Sequence, residues 1–337
     1  MILVTGGTGL VGSYLLLKLA EKGEQVKALY RSEDSKQEVF NLFKLYEPER
    51  FNKLYDSLQW IKGDILDIIS LEEAFIGVTK VYHVAGKVSF DEKDKKELRK
   101  INIEGTQNMV NLSISHKIDK FCYISSIATL DPNLEDSSIN ENAEWNFKFN
   151  HSSYACSKYG AEMEVWRGSQ EGLNVLVVYP GILLGSGNWK RGNGLLYDQA
   201  YADRAYYTSG ITGCIDASDV ADICIRLMDD PSISNEKFIL TADNISYKNL
   251  MYLLRKELNR KPPIKISNSL LKRISVLSRF LPGKKTLSKP VYLALTSQNT
   301  YSNDKIKKLL SYAFISIQDS LKFHAKNYLQ YKKLNND

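Results

Sequence analysis

The sequence lacks the features that mark several large classes of protein. Its 337 residues contain no unbroken apolar run near the roughly 18 residues that a membrane-spanning helix needs. Met1 to Val4 lead directly into a glycine-rich segment, so we expect no signal peptide. We find no internal repeat, and no basic helix with interleaved aromatic residues of the kind that binds nucleic acid. These absences favour a cytoplasmic protein without a nucleic-acid partner.

Cysteine is scarce, and its spacing indicates neither a disulfide framework nor a metal site. The chain has no CxxC pair, and no histidine lies near a cysteine at the spacing of metal ligands. The four cysteines are Cys122, Cys156, Cys214 and Cys224. Isolated cysteines of this kind are typical of a reducing compartment. We therefore expect a metal-free protein.

Positive charge is concentrated at the C-terminal end of the chain. From Arg255 to Asp337 there are 18 Lys and Arg against four acidic residues, which gives +14, while the remainder carries −8. Such a region is either a solvated lysine-rich face or a surface that attracts a phosphate-bearing substrate or an anionic membrane.

Within that region, residues 269–281 carry an apolar stripe beside Lys272, Arg273 and Arg279. The stripe consists of Leu270, Leu271, Ile274, Leu277, Phe280 and Leu281. The pattern indicates either a core helix of a substrate-binding domain or an interfacial helix in peripheral contact with a membrane.

Short apolar segments alternate with helical patterns through the first half of the chain. Strands are predicted at residues 2–5, 25–30, 58–62, 80–84, 120–125 and 174–179. Helices are predicted at residues 10–22, 70–75, 94–116 and 152–172, with an extra helix within residues 35–55. Strands apolar enough to be buried on both faces, joined by crossovers of about a dozen residues or more, are typical of a parallel sheet. We therefore predict an α/β fold with a doubly wound parallel sheet.

The sequence changes in character after Pro180, where a glycine-rich loop occupies residues 185–194. The chain is expected to return to the sheet around residues 215–228 and 237–240. We therefore predict a sheet domain at 1–180 and about 213–242, and a smaller discontinuous substrate domain at about 181–212 and 243–337. Aromatic residues in the second part either line a substrate pocket or pack in a core. They are Trp189, Tyr197, Tyr201, Tyr206 and Tyr207.

A glycine-rich turn directly follows the first predicted strand and opens the first predicted helix. Gly6, Gly9 and Gly12 have the spacing GxxGxxG. Glycine allows positive φ and close approach of a pyrophosphate, and a helix N-terminus offers unpaired N–H groups to an anion. The pattern predicts a dinucleotide-binding turn of a Rossmann-type fold; the alternative is a tight structural turn. The expected contacts are Gly6, Thr8, Gly9, Leu10, Val11 and Gly12.

The second predicted strand ends without the acidic residue that an NAD site usually places there to bind the ribose 2′-hydroxyl. Tyr30 and Arg31 occupy this position. A guanidinium suits a 2′-phosphate, so we expect NADP in preference to NAD. The alternative is a surface arginine without a ligand.

Two further strand ends carry candidate cofactor contacts. Asp64 and Ile65 follow the third strand, where a carboxylate either accepts a hydrogen bond from adenine or caps the next turn. Val84, Ala85 and Gly86 end the fourth strand with the small residues that a backbone close to a ligand requires. The preceding histidine, His83, is expected to be packed and not catalytic.

Tyr154 and Lys158 lie four residues apart in the predicted helix 152–172, which places both on one face. A phenol has a pKa of about 10, which is too high for a base at neutral pH. A nearby ammonium is expected to lower that pKa, so that Tyr154 exchanges a proton with substrate. Ser126 would orient the reacting oxygen. Asn102 either kinks its helix and holds a water or is a packing residue.

In order and spacing, these motifs resemble the extended short-chain dehydrogenase/reductase superfamily, also called NAD-dependent epimerase/dehydratases. The resemblance extends to about Leu240. It implies a catalytic triad of Ser126, Tyr154 and Lys158, with Asn102 as the fourth residue. It also implies that Lys158 holds the nicotinamide ribose. The residues expected against the nicotinamide ring are Pro180, Gly181 and Leu183.

Residues 28–31 and 83–90 are similar to the dihydroflavonol 4-reductase, cinnamoyl-CoA reductase and 3β-hydroxysteroid dehydrogenase branch. This implies NADPH-dependent reduction of a carbonyl substrate, or the reverse alcohol oxidation. A nucleotide-sugar epimerase or dehydratase with tightly bound NAD is an alternative, although residues 127–129 and 179–185 depart from its pattern. A non-catalytic NADP-sensing protein is another. The family also implies a possible homodimer through the helices at 94–116 and 152–172.

Overall fold

The computed structural model describes residues 1–132, 138–190, 192–277 and 287–335. In these ranges the strands are β1 (Ile2–Thr5), β2 (Val26–Tyr30), β3 (Gln59–Lys62), β4 (Lys80–His83), β5 (Lys120–Ile124), β6 (Val175–Pro180), β7 (Ile182–Leu184), β8 (Tyr206–Tyr207), β9 (Ile211–Asp216), β10 (Glu236–Leu240), β11 (Asp243–Ser246) and β12 (Ile264–Lys265).

The α-helices of the described residues are α1 (Leu10–Glu21), α2 (Lys36–Tyr46), α3 (Phe51–Asp56), α4 (Ile68–Phe75), α5 (Lys95–Leu98), α6 (Gly105–Ser115), α7 (Ser153–Gln170), α8 (Gly194–Tyr201), α9 (Ala217–Asp229), α10 (Tyr247–Glu257), α11 (Asn268–Leu277), α12 (Lys289–Thr296), α13 (Asp304–Leu310) and α14 (Ile317–Asn335).

The central sheet has seven parallel strands in the order β10-β6-β5-β4-β1-β2-β3. Alternate residues of a strand face opposite sides, and β1 shows the result. Ile2 and Val4 are buried in the core cluster formed with α1, α2 and α9, whereas Leu3 is buried with α4, α6 and α7. Helices therefore cover both faces, and the predicted doubly wound α/β fold is confirmed.

The order of the strands places a crevice at the ends of β1 and β4. The chain proceeds from β1 towards β2 and β3 on one side, and from β4 towards β5 and β6 on the other. Loops that leave two such neighbouring strands in opposite directions open a crevice at their carboxyl ends, where open α/β sheets bind ligands. The glycine turn follows β1 at this point, and residues 84–86 follow β4.

The helix predicted over residues 94–116 is divided into three parts. It begins as α5, continues through a π-helical turn at Arg99–Glu104 and ends as α6. Asn102 lies inside the π-helical turn, which matches the expectation of a distortion at this residue. The extra helix predicted within residues 35–55 is present as two helices, α2 and α3.

Residues 215–228 were expected to return to the central sheet. This is wrong for the strand β9, which lies outside that sheet, and correct for the helix α9, which packs against it. The strand β9 pairs with β7 and β11 in a separate small sheet. Gly181 is the single residue between β6 and β7, and a Cβ on it would lie 2.7 Å from the carbonyl carbon of Gly213. This close approach holds β9 against β7. The helix α9 then packs on α1 beneath the central sheet.

A third core cluster lies around the small sheet. Trp189 and Tyr197 are buried there at 8% and 0% exposure, with their rings 5.0 Å apart, and Tyr328 packs against both. The interpretation of these two residues as pocket lining is therefore wrong; they form a core. The division into two domains stays a prediction. Tyr301 and Ile306, which belong to the predicted substrate domain, are buried in the core clusters beside the central sheet.

The apolar stripe of residues 269–281 is only partly described. Leu271 is buried, whereas Leu270 and Ile274 are 50% and 41% exposed on α11. Arg279, Phe280 and Leu281 lie outside the described residues. Within the described part of the chain, no helix is both long enough and apolar enough to cross a membrane.

Candidate active site

The glycine turn lies directly against the end of β4. Gly6 has a φ of +67°, and a Cβ there would lie 2.5 Å from the backbone nitrogen of Ala85 and 2.8 Å from the carbonyl carbon of Val84. Only glycine meets both demands. The contact brings together two of the segments that the sequence predicted to bind a dinucleotide.

The first turn of α1 is suited to an anion. Gly9 is its N-cap, no side chain caps the helix, and the first turn contains no acidic residue. A Cβ on Gly9 would meet only the carbonyl oxygen of Gly6, at 3.2 Å, so this face of the turn is open. The unpaired N–H groups and the positive end of the helix dipole are therefore left for a ligand. This cradle fits the pyrophosphate of a dinucleotide, which Thr8, Leu10, Val11 and Gly12 would also contact.

Gly86 joins this cradle to the predicted catalytic residues. A Cβ on Gly86 would lie 3.3 Å from Oδ1 of Asn102 and 3.9 Å from Nζ of Lys158. Because Gly86 follows Ala85 directly, one short loop contacts the glycine turn at one end and Lys158 at the other.

Tyr154 and Ser126 face one another. Tyr154 lies in the first turn of α7, which is capped by Ser152 through a hydrogen bond from the Ala155 backbone. Burial raises the pKa of the Tyr154 phenol, and hydrogen bonding from the Ser126 side chain opposes that rise. Ser126 follows β5, as predicted, and its hydroxyl also accepts a hydrogen bond from the Ala128 backbone at 3.2 Å.

Lys158 is buried one helical turn beyond Tyr154. Its ammonium donates to the carbonyl of Ile124 at 2.5 Å and lies 4.2 Å from the centre of the Tyr123 ring. Burial lowers the pKa of Lys158 to about 7, against the charge of Glu162, which raises it.

The expectation that Lys158 lowers the pKa of Tyr154 is wrong for this structure. Burial raises the phenol pKa, and Ser126 is the group that lowers it. The physical reason is that Lys158 directs its nitrogen to the end of β5, and burial lowers its own pKa to about 7, so that only part of the population carries the charge near neutral pH.

The side-chain amide of Asn102 forms hydrogen bonds with protein groups, whereas one expectation was that it binds a water. Its amide oxygen accepts from the Lys87 backbone nitrogen at 2.7 Å, and its amide nitrogen donates to the Lys87 carbonyl and the Ser157 hydroxyl at 3.0 and 2.8 Å. Asn102 therefore connects the loop after β4 to α7. This geometry makes it a positioning residue for Gly86 and Lys87.

His83 is packed, as predicted, and its tautomer follows from its partners. The Thr106 hydroxyl donates to the Asn102 carbonyl at 2.6 Å, so it accepts from Nε2 of His83 at 2.9 Å. Nδ1 then accepts from the Thr5 hydroxyl at 2.8 Å. Burial, with help from the charge of Lys158, lowers the pKa of His83 to about 3, which keeps the ring neutral.

The sequence interpretation missed Glu162, a buried carboxylate one turn beyond Lys158. Its oxygens accept from Ser125 at 2.8 Å, Tyr179 at 2.6 Å and Trp166 at 3.2 Å. Glu162 thus connects α7 to β5 beside Ser126 and to β6. The available signal was its spacing, because residues 154, 158 and 162 share one helix face.

The predicted adenosine side of the site has mixed surroundings. Arg31 is 69% exposed, and its guanidinium lies 3.9 Å from Asp64. Asp64 accepts from the Leu66 backbone at 3.0 Å and so caps the turn after β3. The Tyr30 hydroxyl donates to Glu33 at 2.5 Å, and Ile65 is buried with its carbonyl bonded by Asn108. Among these residues, Arg31 has the most accessible polar group.

The residues expected at the nicotinamide lie where β6 passes into β7. Pro180 is buried at the end of β6, and the Gly181 nitrogen donates to Leu240 at 3.0 Å. Leu183 is half-buried and packs against the core cluster that Leu10 and Val84 also contact. Among the described residues, no group of three or more His, Cys, Asp or Glu side chains could hold a metal.

An apolar side chain lies beside Tyr154. The ring of Phe90 lies 5.6 Å from that of Tyr154 and is 54% exposed. Nearby in sequence, Val88 is 55% exposed. Cys156, between Tyr154 and Lys158, is exposed, whereas Cys122, Cys214 and Cys224 are buried.

Comparisons with known proteins agree with this geometry. The model of the NAD dependent epimerase/dehydratase family matches residues 2–239. A putative dihydroflavonol 4-reductase of Synechocystis sp. is 28% identical over 254 residues, which cover 74% of this chain and 69% of the relative. Cinnamoyl-CoA reductase 1 of Oryza sativa subsp. japonica is 25% identical over 318 residues, covering 86% and 89%.

A solved structure shares the fold. The UDP-glucose 4-epimerase of Thermus thermophilus in complex with NAD superposes with a TM-score of 0.72 at 17% identity, covering 96% of this chain and 97% of that one. The family match spans well over half of the sequence, and it confirms the resemblance to the extended short-chain dehydrogenase/reductases. The chain belongs to the NAD dependent epimerase/dehydratase family and is an NAD(P)-dependent enzyme of the oxidoreductase kind.

Proposed function

We propose that this enzyme reduces a ketone or aldehyde with NADPH, or catalyses the reverse oxidation of an alcohol. The observation that carries the proposal is the contact of Ser126 with Tyr154, with Lys158 one turn further along α7 beside Gly86. The names of the two sequence relatives, both reductases, support the same direction of chemistry.

The residues divide the work on the carbonyl group. When bound, the dinucleotide supplies the hydride that the carbonyl carbon receives. The Ser126 hydroxyl donates a hydrogen bond to the carbonyl oxygen, and the Tyr154 phenol gives that oxygen its proton. The raised pKa of Tyr154 keeps the phenol protonated at neutral pH, which suits an acid in the reductive direction. Lys158 would hold the ribose and return a proton to Tyr154 after the reaction.

The proposed substrate is apolar near its carbonyl group. Phe90 exposes apolar surface beside Tyr154, and Val88, two residues before Phe90, is also exposed; burying such apolar surface under a ligand is favourable. We expect aromatic or lipid-like carbonyls to react faster than sugars. A panel of aldehydes and ketones, followed by NADPH absorbance, ranks them.

A thermal-shift titration with NADPH, NADP, NADH and NAD tests the cofactor proposal first. A ligand at 100 times its dissociation constant adds about 2.7 kcal/mol of stability. Stabilisation by the 2′-phosphorylated forms, with carbonyl-dependent NADPH oxidation, is the expected outcome. NAD that stays bound through purification, with no net turnover of added dinucleotide, would contradict it and favour epimerisation.

Arg31 is the proposed reader of the 2′-phosphate. Its exposed guanidinium has one weak partner, Asp64 at 3.9 Å, and can bond a phosphate. In Arg31→Ala we expect the Kd for NADPH to rise about tenfold or more, the value of one charge-assisted hydrogen bond, while the Kd for NADH stays the same. Arg204→Ala, an exposed arginine beyond α8, is the control. Equal losses for both dinucleotides in Arg31→Ala would refute the assignment.

A further inference from the structure

Three buried side chains away from the proposed catalytic residues form a chain of hydrogen bonds. The Ser186 hydroxyl lies 2.8 Å from Nδ1 of His324, and Nε2 of His324 lies 2.9 Å from Oδ2 of Asp216. Ser186 follows β7, Asp216 caps α9, and His324 is on α14. The order serine, histidine, aspartate is that of a hydrolase triad.

The cluster is closed to substrate. Ser186, His324 and Asp216 are 3%, 0% and 3% exposed. The Ser186 oxygen also accepts from the Asn327 amide at 2.9 Å, and Asp216 accepts from Ser320 at 2.6 Å. A nucleophile must reach its substrate, so these residues form a structural connection between α14 and the segment after β7.

Asp216 sets the direction of its own hydrogen bond with His324. Burial raises the pKa of its carboxyl, but hydrogen bonds from His324, Ser320 and the Ser218 backbone outweigh burial and leave the pKa below its usual range. The ionised carboxylate therefore accepts from Nε2 of His324. Nδ1 of the same ring is hydrogen-bonded to the Ser186 hydroxyl. One imidazole holds Ser186 and Asp216 at a fixed separation.

The other side of Ser186 is bound to the helix of the glycine turn. The Tyr14 hydroxyl accepts from the Ser186 nitrogen at 3.0 Å and donates to the Ser186 carbonyl at 3.3 Å. Tyr14 is one turn beyond Leu10 on α1. A Cβ on Gly185 or Gly187 would lie 2.9 or 3.2 Å from the Leu10 side chain, so this loop lies on the first turn of α1.

We propose that His324 is a positioning residue for dinucleotide binding, through which α14 controls the affinity of the glycine turn. His324 holds Ser186, and Ser186 with its flanking glycines holds Leu10 and Tyr14 at the anion-binding end of α1. A loop that is already ordered need not lose conformational freedom when the dinucleotide binds. A change that disorders the loop in the free protein should therefore weaken the affinity for the dinucleotide. The inference rests on the proposed dinucleotide site and adds a residue more than 300 positions away from the glycine turn in the sequence.

The test compares two substitutions of His324. In His324→Leu the side chain forms no hydrogen bond with Asp216 or Ser186, and we expect the Kd for NADPH, measured by its fluorescence, to rise at least about tenfold. We expect kcat at saturating NADPH to stay within about twofold, since no reacting atom is touched. His324→Gln can donate and accept across a similar span and should restore most of the affinity. Lys326→Ala, exposed on the same helix, should bind like the unchanged protein.

A variant outside α14 keeps the test decisive if His324→Leu does not fold. Tyr14→Phe removes the hydroxyl that joins α1 to Ser186, together with its hydrogen bond to the Tyr46 hydroxyl at 3.0 Å, and should weaken NADPH binding in the same way. Because both act through Ser186, the double variant should bind no more weakly than the worse single variant. Unchanged Kd in Tyr14→Phe and His324→Leu, or a fall in kcat with unchanged Kd, would overturn the inference. Failure of the unchanged protein to bind any dinucleotide would refute the proposed function instead.

Discussion

At Tyr154 a single hydroxyl is expected to determine turnover. Burial raises the pKa of its phenol, and the hydrogen bond with Ser126 lowers it by less. The phenol therefore stays protonated and is the proposed acid for the substrate oxygen. Tyr154→Phe keeps the ring and its contact with Phe90 but removes the proton, and we expect kcat to fall about 10²–10⁴-fold. Steady-state kinetics and NADPH binding are the measurements. Tyr252→Phe, exposed on α10, is the control. Full turnover in Tyr154→Phe would remove this residue from the mechanism.

Glu162 is expected to determine the protonation of Lys158. The pKa of Lys158 is lowered by burial to about 7 and raised by the charge of Glu162. Glu162→Gln keeps an acceptor for Ser125 but removes the charge, so the pKa of Lys158 falls further. If turnover needs the ammonium, activity falls as the pH rises through the pKa of Lys158. In Glu162→Gln we expect this fall to begin about one pH unit lower than in the unchanged protein. Glu164→Gln, on the solvent side of the same helix, should leave the profile of kcat against pH unchanged; identical profiles for both variants would contradict the assignment.

At the scale of one element, α1 has a left-handed glycine near each end. Gly6 precedes the helix with φ +67°, and Gly23 follows it with φ +77°. A Cβ on Gly23 would meet nothing within 4 Å, whereas one on Gly6 would press on the Ala85 backbone. Gly23→Ala should therefore lower the free energy of unfolding by about 1–2 kcal/mol and leave dinucleotide binding intact.

Gly6→Ala should cost more, because the same backbone strain is joined by the collision with Ala85. We expect a larger loss of stability together with a rise in the Kd for NADPH of at least about tenfold, or about 1.4 kcal/mol. Urea unfolding and NADPH fluorescence measure the two effects separately. Normal NADPH affinity in Gly6→Ala would show that the turn is only structural.

The elements that the sequence predicted well are those with local causes. The strands of the central sheet begin and end within one or two residues of prediction, because short apolar runs are bounded by turns. The glycine turn and the spacing of Tyr154 and Lys158 are local patterns too. A distortion at Asn102 was one expectation, but its form as a π-helical turn over Arg99–Glu104 was not predicted. The small sheet of β7, β9 and β11 depends on contacts between distant segments, which no local pattern shows.

The same limit applies to the site. Glu162 meets Ser125 across 37 residues, and His324 meets Ser186 across 138. Each of these side chains looks like an ordinary polar residue in the sequence. The fold alone brings them together, and it does so in buried surroundings where hydrogen bonds are costly to leave unmade. The spacing of Glu162 from Lys158 is the one local signal of its role, and the role of His324 follows from the fold alone.

For the whole molecule, the three core clusters predict how the chain unfolds. Tyr301 and Ile306 carry the C-terminal segment into the clusters beside the central sheet, while Leu321 and Tyr328 of α14 belong to the third cluster. Because one segment supplies residues to all three, we expect a single cooperative transition in urea. Far-UV circular dichroism should coincide with the fluorescence difference between the protein and Trp189→Phe. Loss of the Trp189 signal at lower urea would indicate two independent units.

The uneven burial of the cysteines should allow the native protein to be labelled at one site without substitution. Cys156 is the exposed thiol among the four, and it lies within the helical turn that joins Tyr154 to Lys158. A thiol-reactive fluorophore applied to the folded enzyme should attach there and leave the buried cysteines untouched. A change in the emission of the attached fluorophore on addition of a candidate ligand would then report events at α7, so that compounds can be screened before any substrate is known.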